Sequence, residues 1–364
     1  MAQAPRPRHI PRPPGTPIDG GDPLAATGRT LRWGVVSTGG IARSVTPRIA
    51  SMRDATLHAV SSRRPEKAKA FAEEFGFATS YGDGDVPGYQ LLADDPDVDV
   101  VYVATPHASH HEVTRAVIEA GKHALVEKAF TINAREAEDL AALARARGVF
   151  VMEAVWTRFL PVFQRVLDVI ESGEIGDVHW LQGDLGFRAA EDPRDRLWAP
   201  EAGGGALLDL SVYPLTWALG ALGFPASLLA RGVLTDDGVD ASNALTLSYE
   251  GGEQVQLLST LRAQAARSVT IGGTRGTIRT LGSLTGPDGF VLQGDGDPRE
   301  ERFATARHRH VYQLREVTRC IQQGLVESPT MPLAHTLQTM RLFDEARRQL
   351  GVVYPNDAAV AAAS

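Results

Sequence analysis

Cysteine is nearly absent from this chain of 364 residues: Cys320 is the only one. An intramolecular disulfide and a cysteine-built zinc centre are therefore excluded. Cys320 lies in Val317-Thr318-Arg319-Cys320-Ile321, which reads as helix, and is expected to be a small buried apolar side chain. Long apolar runs are also missing. None approaches the roughly 20 residues of a membrane span, so no membrane role is expected. Positive charge is not in excess; the net charge of −7 argues against a nucleic-acid partner, which calls for a basic patch. The ten histidines are scattered and form no His-Glu-x-x-His pattern, so no metal is expected. Internal repeats are absent. What remains is 43% hydrophobic and 22% charged, the balance of an ordinary globular protein, and long enough for two domains.

Proline is concentrated at the start. Residues 1–23 hold seven of the 22 prolines, and no apolar core of the kind an export signal needs. Residues 1–30 read as a disordered Pro-rich tail and 356–364 as a second disordered tail, with the protein expected in the cytoplasm.

From Leu31 to Glu153 short apolar runs alternate with helical patterns. Strands are expected over 33–36, 57–61, 97–104, 123–127 and 149–153. Helices are expected between them, with Gly76 and Gly121 as stops. Such alternation predicts a doubly wound parallel sheet, a Rossmann dinucleotide-binding domain over 31–154. After Val155 the pattern changes. A helix over 163–172, an apolar helix over 206–222 and strand-like runs from 178 to 281 predict an α/β domain with a mostly antiparallel, open-faced sheet over 155–355. Helices on one side leave the other face bare, so a homodimer through this sheet is expected.

Four motifs stand at strand ends, where an open parallel sheet binds its ligands. The first is Ser37-Thr38-Gly39-Gly40-Ile41-Ala42. Gly39 occupies the position where a backbone approaches a pyrophosphate, and Ala42 the position where the helix packs close to the strand. Ser37 replaces the usual first glycine, which leaves an ordinary strand–turn–helix as the alternative. The second is Thr105-Pro106-His107 with His110; these histidines either face a nicotinamide or simply begin a helix. The third is Glu127-Lys128, and the fourth Trp156-Thr157-Arg158-Phe159.

The second strand ends Ser61-Ser62-Arg63-Arg64, with no carboxylate where NAD-specific sites place one. Guanidinium groups and hydroxyls suit a phosphate, so NADP is expected over NAD. The alternative is that Arg63 and Arg64 only solvate a helix start.

Hydride transfer needs a group that moves the hydroxyl proton. Lys128, beside a cationic oxidised nicotinamide, is expected to have a lowered pKa; a plain surface lysine is the alternative. Asp209 and Tyr213 stand four apart on the apolar helix and share a face. They are candidates to meet a substrate. The competing reading makes Tyr213 a core aromatic and Asp209 a turn cap. Trp156, Arg158 and Phe159 are candidates to wall the substrate pocket, and the loop over 187–202 to set its specificity.

These residues resemble the glucose–fructose oxidoreductase/inositol dehydrogenase (Gfo/Idh/MocA) family from about Arg32 to Pro355. Arg32-Trp33-Gly34-Val35-Val36-Ser37, Met152-Glu153-Ala154-Val155-Trp156-Thr157-Arg158-Phe159 and Gly204-Gly205-Ala206-Leu207-Leu208-Asp209 are most similar to its branch of dimeric dihydrodiol and NADP-dependent D-xylose dehydrogenases. The resemblance implies Lys128 and Tyr213 as the catalytic pair and accommodates Ser37. One position departs: the family's Glu-Lys-Pro is Glu127-Lys128-Ala129, which bears on catalytic strength more than on catalytic type.

The reading is an NADP-dependent dehydrogenase acting on a hydroxyl carbon of an aldose, cyclic polyol or trans-dihydrodiol. Two alternatives stand beside it: a catalytically weak dinucleotide-binding regulatory or sensor protein of the same fold, and a redox shuttle with permanently bound NADP.

Overall fold

The computed structural model describes residues 7–13, 21–294, 296–304 and 309–358. They divide into two compact units, the first built from 21–154 with 310–340, the second from 155–309 and 341–358 with 7–13.

The first unit contains β1 (Leu31–Val36), α1 (Gly40–Ser51), β2 (Ala55–Ser62), α2 (Pro65–Phe75), β3 (Thr79–Gly82), α3 (Gly88–Asp94), β4 (Val100–Val103), α4 (His110–Glu119), β5 (His123–Val126), α5 (Ala134–Arg147) and β6 (Val151–Glu153). The strands lie in the order β3-β2-β1-β4-β5-β6, and every neighbouring pair is parallel. This is the doubly wound sheet expected. β4 is buried at all four positions because helices cover both faces of such a sheet. Gly34 lies in β1 beneath α3: a Cβ there would meet Leu92 at 2.8 Å. The Asn133 side chain accepts the Glu136 N–H at the start of α5, and Gly148, at φ +64°, ends it. β3 is not among the expected strands. Its residues are all half-buried, so no apolar run marks it.

The second unit contains α6 (Pro161–Glu171), β7 (Val178–Gly186), α7 (Val212–Leu222), β8 (Ser227–Leu234), β9 (Asp240–Ser248), β10 (Gln254–Thr260), β11 (Val269–Gly273), β12 (Thr277–Leu281), β13 (Gly289–Gln293) and β14 (Arg299–Arg302). They form one sheet, β14-β13-β12-β11-β7-β10-β9-β8, antiparallel throughout except for the β7–β10 pair. α7 packs on β7, β10 and β11. Leu181, Leu185, Val255 and Leu257 point toward it and are buried. α6 and α7 approach closely because residue 220 is glycine: a Cβ there would meet Phe163 at 2.9 Å and Leu167 at 3.0 Å. Phe163 stacks edge-on against Trp217 at 4.8 Å. Burying each such ring contributes about 1.5–3 kcal/mol. The sheet's other face carries Trp180, Leu229, Val233 and Leu258, all more than 40% exposed.

The chain closes with α8 (Val311–Gln322), α9 (Leu333–Leu350) and α10 (Pro355–Ala358). α8 groups with the first unit rather than the second, where the expected 155–355 domain had put it. The reason is electrostatic. Asp54, 1% exposed beside the start of β2, takes the Arg315 guanidinium at 2.7 and 2.8 Å. Pairing with the guanidinium offsets the desolvation of so buried a carboxylate.

Two further expectations change. Residues 7–13, read as part of a disordered tail, are docked on the second unit. Arg8 donates to Gln164 at 2.5 Å and Asp168 at 2.6 Å, and Ile10 is fully buried beside Gly220. Proline-rich composition hid one well-placed isoleucine. Residues 1–6 and 14–20 of that tail lie outside the described residues. At the other end Asp357, read as tail, forms an ion pair with Arg347, while 359–364 fall outside the described residues. Residues 200–222 are long and apolar enough to cross a membrane, yet 94% of the apolar window is buried, as in a core helix.

Candidate active site

In the first unit, β1 delivers the glycine turn. Ser37 stands at φ +108°, a conformation glycine adopts without strain and serine rarely does. Its hydroxyl accepts the Gly39 N–H at 3.1 Å, and its own N–H reaches Ser61 O at 2.9 Å. A Cβ on Gly40 would meet nothing within 4 Å, and one on Gly39 only the Ser37 hydroxyl. The first turn of α1 holds no acidic residue. Open space above a helix N-terminus with free N–H groups fits the pyrophosphate of a dinucleotide. Thr38 is half-buried at the turn, Ile41 is exposed on the first turn of α1, and Ala42 is buried beneath. At the end of β2, Ser62 is half-buried and Arg63 and Arg64 are exposed. Arg64 has one acidic neighbour, Glu66, at 3.8 Å with both side chains at least 60% exposed, an arrangement worth little.

β5 ends on Glu127 and Lys128, both buried, and the Lys128–Ala129 peptide bond is cis. The surrounding contacts hold this turn from several sides. Tyr102, fully buried on β4, donates its hydroxyl to Glu127 at 2.6 Å, and Glu127 accepts the Lys128 N–H at 3.3 Å. His107 Nε2 lies 3.1 Å from the Lys128 carbonyl. His110 Nδ1 lies 2.9 Å from the Ala129 carbonyl and its Nε2 2.9 Å from that of Thr105, the residue before Pro106. Burial pushes the His110 imidazole down to about 4, so at neutral pH it is uncharged and donates to one of these carbonyls. Glu153, at the end of β6, accepts from Phe130 N–H and the Thr336 hydroxyl. Both histidines thus bond the backbone around Lys128.

In the second unit, Trp156, Thr157, Arg158 and Phe159 form a 3-10 turn. The Trp156 indole N–H donates to the Tyr213 hydroxyl at 3.2 Å, with the rings edge-on at 6.3 Å. Trp156 keeps 8% of its surface, Arg158 1% and Phe159 none, so Phe159 offers no surface to a pocket. The apolar helix opens with a π-helical turn, Leu207–Ser211, before α7. Sequence periodicity reads this turn as α. Asp209 lies within it, 7% exposed, and Tyr213 follows on α7, half-buried. Arg196, from the loop singled out over 187–202, pairs with Asp209 at 3.1 Å. The sequence carries no signal for this pair: the loop holds three arginines, Arg188, Arg194 and Arg196, and nothing local links positions 196 and 209.

Elsewhere, His58, Asp95 and Asp97 bring ligand atoms within 4.8 Å of one another. His58 and the Tyr81 hydroxyl already occupy Asp95 Oδ2, and Arg32 pairs with Asp97.

Comparison with known proteins covers most of the chain. Residues 31–155 match the family model described as an oxidoreductase family with an NAD-binding Rossmann fold, and residues 163–279 that of the GFO/IDH/MocA C-terminal domain. Trans-1,2-dihydrobenzene-1,2-diol dehydrogenase of Xenopus tropicalis is 34% identical over 89% of this chain and 99% of its own. An aldose-aldose oxidoreductase from Caulobacter crescentus superposes with TM-score 0.79 at 25% identity, over 88% of this chain and 97% of that one. A 3-ketoreductase from Actinomadura kijaniata, solved with NADP and TDP-benzene, gives TM-score 0.78 at 27% identity, over 88% and 98%.

Proposed function

The chain belongs to the Gfo/Idh/MocA oxidoreductase family, and from that premise we propose a dehydrogenase that uses NADP to oxidise a hydroxyl carbon of an aldose, cyclic polyol or trans-dihydrodiol. That it is an NAD(P)-dependent oxidoreductase acting on hydroxyl groups follows from the family and its relatives. Substrate class, cofactor choice and residue roles are the proposal.

The observation that carries it is the Trp156–Tyr213 hydrogen bond in an otherwise apolar helix environment. A donor aimed at a phenol oxygen favours its ionised form, which is what a proton-accepting tyrosine needs. When bound, the nicotinamide supplies the hydride acceptor. Tyr213 takes the substrate hydroxyl proton as the carbon gives up its hydride, and returns it in the reverse direction. The Lys128 ammonium favours the ionised phenol, and Asp209 accepts a hydrogen bond from a second substrate hydroxyl. Ser37, Thr38, Gly39, Gly40 and Ile41 receive the pyrophosphate, and Ser62, Arg63 and Arg64 the 2′-phosphate. Thr105, Pro106, His107, His110 and Glu127 shape the wall around Lys128. Trp156 borders the substrate, while Arg158, almost as buried as Phe159, packs behind the wall.

A second copy of the chain covers the open sheet face in this reading, over a groove of about 560 Å³ lined by Gln182, Asp184, Thr246, Gln256 and Leu258. A cytoplasmic location agrees with a single, buried thiol. The test is incubation with NADP+ and a panel of aldoses, polyols and dihydrodiols while reduced nicotinamide is followed by absorbance. Turnover with a cyclic polyhydroxy substrate supports the proposal. NADP binding without turnover on any of them supports the sensor alternative instead.

A further inference from the structure

Asp240, the first residue of β9, has no exposed surface. No cation pairs with it among the described residues. Its Oδ2 accepts two hydrogen bonds, from the Leu207 N–H at 2.9 Å and the Asn243 amide at 2.8 Å. Its Oδ1 has no partner and lies against Gly205, where a Cβ would come within 2.3 Å. Gly205 itself stands at φ +112°. Leu207 is the first residue of the π-helical turn, and Ala206 before it supplies no side-chain cap. A carboxylate 33 residues away therefore caps the turn from a neighbouring strand. The same network reaches the turn's last residue: Asn243 Oδ1 accepts the Ser211 hydroxyl at 3.1 Å, and the Ser211 and Ser259 hydroxyls lie 2.9 Å apart. Both ends of Leu207–Ser211 are thus held, with Asp209 between them and Tyr213 just beyond.

This is a costly way to build stability. A buried carboxylate without a cation carries a desolvation penalty that a well-packed apolar residue would avoid. The hold it exerts is directional, and π-helical turns inside α-helices frequently mark functional sites.

We propose that Asp240 is a positioning residue: through the Leu207 N–H and Asn243 it fixes the π-helical turn that aims the Asp209 carboxylate and the Tyr213 phenol at the substrate. The proposal rests on the roles given to Asp209 and Tyr213 above.

The experiment compares Asp240→Asn, Asp240→Ala, Ser211→Ala and Tyr213→Phe. It measures kcat and KM with the best substrate of the panel, NADP(H) affinity by nicotinamide fluorescence, and amide hydrogen exchange over 207–213. Asp240→Asn keeps an acceptor of the same shape and is expected within about fivefold of wild-type kcat. Asp240→Ala is expected to lose kcat by about 100-fold with KM and NADP(H) affinity nearly unchanged, and to speed exchange over 207–213. Ser211→Ala, which removes only one hydroxyl, is expected to lower kcat by about tenfold. It serves as the working variant if Asp240→Ala does not fold. Wild-type kcat in Asp240→Ala, or in Ser211→Ala where that one stands in, overturns the proposal. So does unchanged exchange over 207–213 in Asp240→Ala. A fully active Tyr213→Phe would instead overturn the roles beneath it, while the exchange rates, which need no substrate, still decide whether Asp240 holds the turn.

Discussion

The Trp156 indole and the Tyr213 phenol are joined N–H to O at 3.2 Å, across 57 residues of sequence. Trp156→Phe keeps the edge-on ring contact and removes the donor. It is expected to lower kcat/KM by about tenfold, the size of one hydrogen bond to a group that becomes charged. Steady-state kinetics check this, and an unimpaired Trp156→Phe enzyme would take the indole out of the chemistry.

Lys128→Met tests the other half of the proposed proton-transfer pair. The turn around it is held through the Glu127 carboxylate, the Lys128 carbonyl and the Ala129 carbonyl, none of which the substitution touches. Turnover is therefore expected to vanish while NADP(H) affinity stays within a few-fold. Retained activity excludes the amine from the mechanism.

The proposed preference for NADP rests on exposed arginines at the end of β2. Removing both, as Arg63→Ala with Arg64→Ala, is expected to cut kcat/KM for NADP by at least about tenfold and leave that for NAD nearly constant. A double variant whose NADP-to-NAD ratio matches wild type would show that the phosphate is held elsewhere.

Burial raises the Asp240 carboxyl from 3.8 to about 7. Between those values the unfolded chain has lost this proton and the folded chain keeps it, so folding takes up a proton and stability falls as pH rises. Above about 7 the full penalty is present. Asp240→Asn does not titrate. Its melting temperature relative to wild type is expected to climb from pH 4 to pH 7 and then level off. His110, pushed down to about 4, works in the opposite sense below its ordinary 6.5, but both proteins carry it and it cancels in the difference. Tyr354, nearby and bonded to Gly204 O, is pushed upward and stays neutral across this range. A flat difference between pH 4 and pH 7 would show that Asp240 is ionised throughout.

Much of this molecule was legible in its residues. Apolar runs such as Val100–Val103, punctuated by Gly76 and Gly121, announce a covered parallel sheet because both periodicity and stop signals are local. The motifs at strand ends were legible for the same reason: topology places every such end along one edge. β14 escaped because Arg-Glu-Glu-Arg at a sheet edge has no apolar alternation to read. The π-helical turn escaped because an apolar stretch buried on all sides has no face to reveal its pitch.

Family, the alternation of strand and helix and the residue types available for proton transfer were already written in the order of amino acids, since each rests on neighbours a few positions apart. Tertiary structure alone decided that Arg315 joins Asp54 across 261 residues, that Ile10 docks beside Gly220, and that Asp240 caps Leu207. Those outcomes follow from desolvation, which acts on whatever groups packing brings together and leaves no periodic mark along the chain.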